Sequence, residues 1–292
     1  MHSNPNNILN YLIFIFIKIA HFTIRLFPSK LLVRLISHIL IFSGYRKQVI
    51  NNNYKSTIGV GLSNDTFDSF YRKCIQNISR IIVETLKFDK SKSSKLSYLN
   101  IQNLENLCKK NNGLILMASH YGNWELACIN LPLHTSLPCY GVYKPLKNKM
   151  LDKELIRLRS RYGLNVIPMN SIARSIASNY NSGTPAIYIL IADQNPRSIQ
   201  SVIWVKFLGL LTAYSNGLVK FQAKYKLPVA YLKTTPNQDL FNYNIDFEIP
   251  PLDVPKDSTE WYSQQVENQI KQAPHFWLWS HKRWKRKYEA NS

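Results

Sequence analysis

The stretch Gly113–Leu126 constrains the fold most, because its pattern changes twice within a few residues. An apolar run at residues 114–118 ends in Ser119 and His120, and after a short turn a helix-forming segment begins at Trp124. A short, continuous apolar run is typical of a strand that is buried on both faces of a sheet. The stretch therefore predicts a strand, a turn and a helix, which is the repeating unit of an α/β fold.

Two side chains suited to proton transfer, His120 and Glu125, lie at this junction. On one continuous helix their spacing would separate them by about 140° around the axis. Across a turn they can converge, and a carboxylate can then fix the tautomer of an imidazole that acts as a base. Open α/β sheets carry their sites at the carboxyl ends of strands, so we predict a proton-transfer pair here.

Strand and helix patterns alternate through the rest of the chain. Strand patterns fall at residues 138–142, 185–192, 228–232 and 241–249, and helix patterns at 64–88, 150–162, 172–180 and 216–226. The run at 185–192 also ends in a polar pair, Asp193 and Gln194, at the active edge of an open sheet. These patterns predict an α/β class with a mixed, largely parallel sheet flanked by helices, preceded by an N-terminal membrane-associated helical segment.

The N-terminal region is lipophilic but a poor match to a signal peptide. Residues 8–41 are apolar and aromatic, with cations such as Lys18 and Arg25 spaced through them. A marginal membrane span is one interpretation, since a span needs about 20 predominantly apolar residues. A pair of in-plane interfacial helices kinked at Pro28 fits the spacing of the cations as well. We predict a membrane-associated segment at residues 1–45 and a domain at residues 46–292.

The charge of the chain is strongly positive, with 37 Lys and Arg against 17 Asp and Glu and a formal net charge of +20. Such a surface attracts nucleic acid, an anionic membrane surface, or an acidic carrier and phosphorylated substrate, although abundant lysine alone is an alternative explanation. The tail at residues 275–287 interleaves aromatic with cationic side chains. That composition suits a lipid headgroup interface and also stacking on nucleic acid.

Metal and phosphate-loop chemistry are not indicated. The four cysteines have no CxxC spacing and no neighbouring His cluster, and we interpret them as buried thiols in a reducing compartment. The sequence has no glycine-rich phosphate loop and no GxSxG element. We therefore predict neither a metal nor another cofactor.

The segment from His120 to Glu125 matches the H-x4-D/E motif of the glycerophospholipid acyltransferase superfamily. The chain as a whole resembles one branch of it, the bacterial lipid A biosynthesis acyltransferases that add secondary lauroyl or myristoyl chains. A tyrosine-proline segment followed by Asn, an Arg-rich helix end, a DQ element and a W-x-H-[KR]-R-[FW] tail also match, at Val142–Asn148, Arg157–Gly163, Ala192–Gln194 and Trp279–Trp284. A lone H-x4-E is weak, but these motifs in this order are a strong signal.

The match departs from the family pattern at a few positions. Thr212 and Tyr214 follow Phe207 and Gly209 where the family usually has a small residue and a Thr, and Lys144 replaces the commoner Arg. These departures leave superfamily membership intact. They bear on the acceptor, because we expect this region to line the substrate groove.

The resemblance implies acyl transfer from an acyl carrier protein thioester to a hydroxyl of a lipid A precursor or related glycolipid. His120 would take the hydroxyl proton, and Glu125 would orient His120 and stabilise the imidazolium. Arg159 with Arg161 is the candidate phosphate clamp, because a guanidinium binds phosphate in a two-pronged geometry.

Three further residues complete the predicted site. Asn123, Asp193 and Gln194 are candidate substrate-binding residues. Two of them have a simpler interpretation, since Asn123 suits a turn and Asp193 suits a supporting role behind the catalytic groups.

The expected partners are the acyl carrier protein, a lipid acceptor and an anionic membrane surface. We expect the protein at the inner membrane with its active site facing the cytoplasm, and no nucleic acid bound. Two alternatives stay open. In the first, the protein is an acyltransferase for a different lipid acceptor, such as a lysophospholipid, an aminolipid or a lipid-linked pigment. In the second, the chain is a membrane-anchored nucleic-acid-binding protein.

Overall fold

A computed structural model describes residues 26–57, 61, 65–196, 200–251 and 258–286. Most of the lipophilic stretch, residues 8–25, lies outside them, so the predicted membrane segment is only partly described. Among the described residues no helix is both long enough and apolar enough to span a bilayer.

The strands form one large sheet and one separate hairpin. They are β1 (Leu96–Tyr98), β2 (Leu114–Ala118), β3 (Cys139–Tyr143), β4 (Asn165–Pro168), β5 (Ile187–Ile191), β6 (Val202–Phe207), β7 (Leu210–Ser215), β8 (Val229–Pro236) and β9 (Tyr243–Glu248). The sheet has the order β1-β9-β8-β2-β5-β3-β4. All neighbouring pairs are parallel except β8 and β9. The predicted α/β class with a largely parallel sheet is confirmed.

Helices cover both faces of the sheet. They are α1 (Ser29–Phe42), α2 (Lys47–Thr57), α3 (Phe67–Lys87), α4 (Ile101–Lys110), α5 (Trp124–Asn130), α6 (Lys149–Ser160), α7 (Ile172–Asn181), α8 (Gly217–Tyr225) and α9 (Ser258–Gln272). Side chains alternate across a strand, so β2 sends Ile115 and Met117 into the core under α3 and α9. It sends Leu116 and Ala118 into a second core under α4 and α5. Both faces of this central strand are therefore fixed by packing.

Two short strands and the hairpin were not predicted. β1 and β4 are three and four residues long and carry no pattern of their own. Their partners lie far along the chain or across a helix, so only the folded sheet defines them. Strand β6, which contains Trp204, is one arm of the antiparallel hairpin of β6 and β7, and this hairpin is separate from the main sheet.

The C-terminal tail corrects the prediction of an aromatic-cationic surface. Trp277, Trp279 and Arg283 are all nearly fully buried. Trp279 stacks edge-on against Phe70 of α3 at 5.3 Å, and the Arg283 guanidinium lies 4.5 Å from the Tyr214 ring centre. These aromatic faces are used in the core and are not available for stacking on nucleic acid bases.

Candidate active site

The central sheet pair brings His120 and Asp193 together. Strands β2 and β5 run parallel, with Ala118 opposite Ile191 at their carboxyl ends. His120 and Asp193 each lie two residues beyond that pair, so they leave the sheet side by side. The polar segment that follows each strand thus supplies one residue of a hydrogen-bonded pair, at the edge where open sheets carry their functional sites.

The Asp193 carboxylate holds His120 at two points. Its Oδ1 lies 2.6 Å from His120 Nδ1, and its Oδ2 accepts the backbone N–H of His120 at 2.8 Å. The bond to a carboxylate places the proton of a neutral imidazole on Nδ1, which leaves Nε2 as the acceptor. Nε2 forms no hydrogen bond with any residue that the structure describes, and the side chain keeps 17% of its surface exposed. The geometry is that of an imidazole base oriented by a buried carboxylate.

The charge of Asp193 is stabilised inside the protein. Its side chain is fully buried, and Trp277 donates its indole N–H to Oδ2 at 2.8 Å. Burial disfavours ionisation, but a charge on His120 and the hydrogen bonds from His120 and Trp277 outweigh it and lower the pKa of Asp193. The carboxyl group is therefore ionised and ready to stabilise an imidazolium on His120.

The tail that carries Trp277 is fastened to the turn of His120. Tyr121 and Trp277 form an antiparallel bridge, and the backbone N–H of Leu278 donates to the carbonyl of His120 at 2.9 Å. The backbone N–H of Gly122 donates to Phe276, and Gly122 adopts a φ of +56° that favours glycine. The tail thus fixes the turn as well as the carboxylate.

Glu125 does not contact His120 as we predicted. No hydrogen bond joins the two side chains among the described residues, because the Glu125 carboxylate faces Arg159 of α6. Arg159 Nε donates to Glu125 Oε2 at 3.0 Å, and a second guanidinium nitrogen donates to Oε1. Glu125 begins α5 and turns toward α6, while the partner of His120 comes from the neighbouring strand. The place beside His120 that we predicted for Glu125 is therefore taken by Asp193.

Arg159 and Arg161 do not form a ready phosphate clamp. The fork of Arg159 is occupied by Glu125; burial works against its charge, but Glu125 outweighs it and raises the pKa of Arg159. Arg161 donates to the backbone carbonyl of Thr85 at 3.3 Å and lies 4.9 Å from the Tyr162 ring centre. The two guanidinium groups have separate partners, and the Nε edge of Arg159 is already bound by Glu125.

Asn123 has a structural role in this conformation. Its side chain is fully buried, its Oδ1 caps α5 by accepting the N–H of Leu126 at 3.1 Å, and its Nδ2 donates to Glu84 at 3.0 Å. Glu84, itself fully buried, also accepts from Arg80 and from the backbone N–H of Phe241. The predicted substrate contact of Asn123 is thus replaced by a contact that holds the start of α5.

The remaining predicted residues divide between the site and the core. Gln194 is half-buried beside Asp193 at the edge of the sheet. Thr212 and Tyr214 do not line a groove, because both are buried in the hairpin under the tail. Thr212 Oγ1 accepts the indole N–H of Trp284 at 2.9 Å. Their departure from the family pattern therefore concerns the packing of the tail.

A narrow, mostly apolar cavity begins beside the base. Trp124 contacts His120 edge-on, with the ring centres 4.8 Å apart, and also lines the cavity. The ion pair of Glu125 and Arg159 lines it too, and the other walls are Cys128, Ile129, Gly141, Val142, Tyr143, Leu164, Val166, Ile189 and Ile191. Aliphatic walls that lead away from a proton-transfer group fit a substrate with a reactive head and an apolar chain.

Sequence reasoning found His120 and Asp193 but did not pair them, and it missed Trp277. The signal for pairing His120 with Asp193 was that both buried apolar runs are followed, at the same offset, by a polar residue, and that the two strands pair in parallel. No local signal marked Trp277, which reaches Asp193 from 84 positions along the chain.

Comparison with protein families identifies a relationship for this chain. The family model described as bacterial lipid A biosynthesis acyltransferase matches residues 3–286, nearly the whole chain. No curated protein matches the chain with significant similarity.

Proposed function

The chain belongs to the bacterial lipid A biosynthesis acyltransferase family, and we propose that it transfers a fatty acyl chain from an acyl carrier protein thioester to a hydroxyl of a lipid A precursor or related glycolipid. The observation that carries the proposal is the hydrogen-bonded chain Trp277–Asp193–His120 at the carboxyl edge of the sheet. It leaves His120 Nε2 directed away from its carboxylate partner, as a general base requires.

The reaction needs one proton relay and no covalent enzyme intermediate. The acceptor hydroxyl gives its proton to His120 Nε2 as its oxygen attacks the thioester carbonyl carbon. Asp193 stabilises the imidazolium that forms. When the tetrahedral intermediate collapses, the carbon–sulfur bond breaks and His120 gives the proton to the departing thiolate. Asp193 is thus a positioning residue, and His120 is the catalytic one.

The cavity beside Trp124 supports an acyl substrate. Its aliphatic walls would hold the distal part of the chain while the carbonyl group stays near His120. Burying a methylene group stabilises a complex by about 0.8 kcal/mol, so an apolar wall discriminates between chains of different length. Glu125 and Arg159 at this cavity would hold its wall in place rather than take part in proton transfer.

An anionic membrane surface is the proposed working environment. Helix α1 exposes four apolar residues whose spacing places them on one face of the helix. They are Leu31, Leu35, Ile39 and Phe42, and their exposed fractions are 54%, 55%, 58% and 97%. Lys30, Arg34 and His38 lie beside that stripe and are exposed. Apolar and cationic stripes together suit the headgroup boundary of an anionic bilayer. This arrangement favours the in-plane interpretation for this helix, and we propose the inner face of the inner membrane as the location of the site.

The experiment that tests the proposal is an acyl transfer assay with the full chain in phospholipid vesicles. An acyl carrier protein thioester is the donor, and a lipid A precursor, a lysophospholipid and an aminolipid are offered as separate acceptors. We expect a product heavier by one acyl chain with the lipid A precursor, and loss of that product with His120→Ala. Transfer only to another lipid would reassign the acceptor, and transfer to none would reject the function.

A further inference from the structure

Helix α6, which forms part of the cavity wall, has a cationic outer side. Lys149, Lys153 and Arg157 are exposed and lie four positions apart, so they share one side of the helix. The segment that precedes the helix adds two more exposed cations, Lys144 and Lys147. We call these five residues the α6 basic surface.

The charge of the α6 basic surface is not neutralised by neighbouring carboxylates. Among the described residues its four lysines form no ion pair, and Arg157 pairs with Glu154 at 3.2 Å. The other carboxylate of α6, Asp152, is buried, where it accepts the Tyr143 hydroxyl and the backbone N–H of Leu146. The surface therefore presents a net positive charge to an outside partner.

The α6 basic surface begins where the wall of the cavity ends. Strand β3 is parallel to β5 and ends at the same edge of the sheet, with Tyr143 in the cavity wall and Lys144 as the next residue. In the order β2-β5-β3 this end lies two strands from the strand that leads to His120, or about 10 Å across the sheet. Arg159 lines the cavity from a position about 120° around the helix axis from Lys153. One side of α6 therefore lines the cavity, and another carries the basic surface.

An acidic protein fits this surface better than a bilayer does. Interfacial membrane helices bury a continuous apolar face, as the stripe of α1 would. The α6 basic surface instead has Leu146, which is 40% exposed, between Lys144 and Lys147. A small apolar centre with a polar rim is typical of protein interfaces, and complementary charge selects the partner and speeds its association.

We propose that the α6 basic surface is the docking site of the acidic acyl carrier protein. This inference rests on the proposed acyl transfer and adds the direction from which the donor approaches. The carrier holds its acyl chain as a thioester on a flexible phosphopantetheine arm. Docking on α6 brings that arm to the edge of the sheet that carries His120, beside the cavity for the acyl chain. The carrier and the bilayer thus contact different helices, α6 and α1.

The test reverses charge on this surface without removing an internal contact. Lys149→Glu with Lys153→Glu places acidic residues near the N-terminus of α6, where the helix dipole favours them. We expect the KM for the acyl carrier protein thioester to rise about tenfold or more, with kcat within about threefold, because exposed charges mainly change the rate of association. An acyl-pantetheine thioester, which has the arm without the protein, should serve the variant and the wild type equally well.

A matched control, Lys110→Glu with Lys224→Glu, makes the same change in net charge. Both lysines are exposed, at the ends of helices that lead into β2 and β8. These strands are parallel, so both lysines lie at the amino edge of the sheet, away from His120. The control should keep the KM for the carrier thioester within about threefold of the wild type.

Binding of the carrier protein without turnover, measured by surface plasmon resonance, should weaken in the α6 variant and not in the control. The proposal is overturned if the α6 variant keeps both its affinity for the carrier and its KM for the carrier thioester. It is also overturned if the variant loses only the lipid acceptor, anionic vesicles or nucleic acid, which would assign the surface to one of these.

Failure of the docking site and failure of the proposed function have different signatures. A wild type that transfers from acyl-pantetheine but does not bind the carrier would overturn the docking site alone. A wild type that transfers from neither thioester would reject the proposed function, and binding of the carrier would still decide whether it docks on α6.

Discussion

The indole of Trp277 donates a 2.8 Å hydrogen bond to Asp193, which lies 84 positions away in the sequence. The oxygen that accepts it, Oδ2, also accepts the backbone N–H of His120. The tail therefore closes over the carboxyl edge of the sheet and completes the site, and the carboxylate that orients the base is itself held from both sides.

Asp193→Asn should lower kcat by about 10⁴-fold, since an amide cannot stabilise the imidazolium and can hold the wrong tautomer of His120. Thioester KM should change little, because the fully buried Asp193 side chain cannot contact substrate. The measurement is steady-state transfer in vesicles. Asp246→Asn, which alters a carboxylate bound to Asn100 at the far edge of the sheet, is the control. A D193N enzyme within tenfold of the wild type would remove Asp193 from the mechanism.

The lowered pKa of Asp193 also predicts how stability depends on pH. In the folded state this pKa lies below the unfolded value, which is about 3.9 for Asp. The group therefore contributes stability that is complete above pH ~4 and is lost as the pH falls toward the folded pKa. We expect the urea midpoint of the wild type to fall more steeply below pH ~4 than that of D193N. Parallel curves would contradict the pKa shift.

The sequence identified the architecture around the site better than the contacts within it. The apolar run of β2 and the helix restart at Trp124 are local patterns, and both are where they were predicted. The pairing of His120 with Asp193 depends on which strands are neighbours, and a single sequence does not state the strand order β2-β5. The choice of Glu125 failed because nearness along the chain was taken for nearness in space.

The ion pair of Glu125 and Arg159 should behave as a structural unit. The two side chains expose 19% and 23% of their surface, so removing one partner leaves a poorly hydrated charge on the other. Glu125→Gln and Arg159→Met should each lower the unfolding temperature, and the double variant should be more stable than either single one. Thermal unfolding of the wild type, the two single variants and the double variant completes a double-mutant cycle, which measures the coupling between the two side chains.

Activity separates this interpretation from direct catalysis by Glu125. If the ion pair of Glu125 and Arg159 only shapes the cavity wall, any loss of kcat in the single variants should be reversed in the double variant, together with the loss of stability. If Glu125→Gln slows the enzyme by about 10²-fold or more both with and without Arg159→Met, Glu125 would have a direct role in proton transfer.

The cavity walls should set the length of the transferred chain. A Cβ atom added at Gly141 would lie 2.9 Å from Leu164 Cδ2, closer than side chains tolerate. Gly141→Ala should therefore narrow the cavity and favour shorter chains, whereas Leu164→Ala should widen it and favour longer ones. A methylene group in an apolar pocket changes kcat/KM by about 10-fold or more. Competing twelve-, fourteen- and sixteen-carbon thioesters, read by mass spectrometry of the product, give the ratios, and unchanged ratios would place the acyl chain elsewhere.

The exposed apolar stripe of α1 should contribute directly to binding of the protein to a bilayer surface. Leu35 and Ile39 are each more than half exposed, and neither contributes to the buried core. The double variant Leu35→Asp with Ile39→Asp should leave the fold intact but reduce binding to anionic vesicles by about 100-fold, because it removes apolar contact and adds repulsion. Met169→Asp, which puts one charge on a side chain exposed to 53%, is the control. Sedimentation with vesicles of neutral lipid measures the apolar contribution to binding, and sedimentation with anionic lipid adds the electrostatic contribution. Equal binding by the variant and the wild type would show that α1 does not face the membrane.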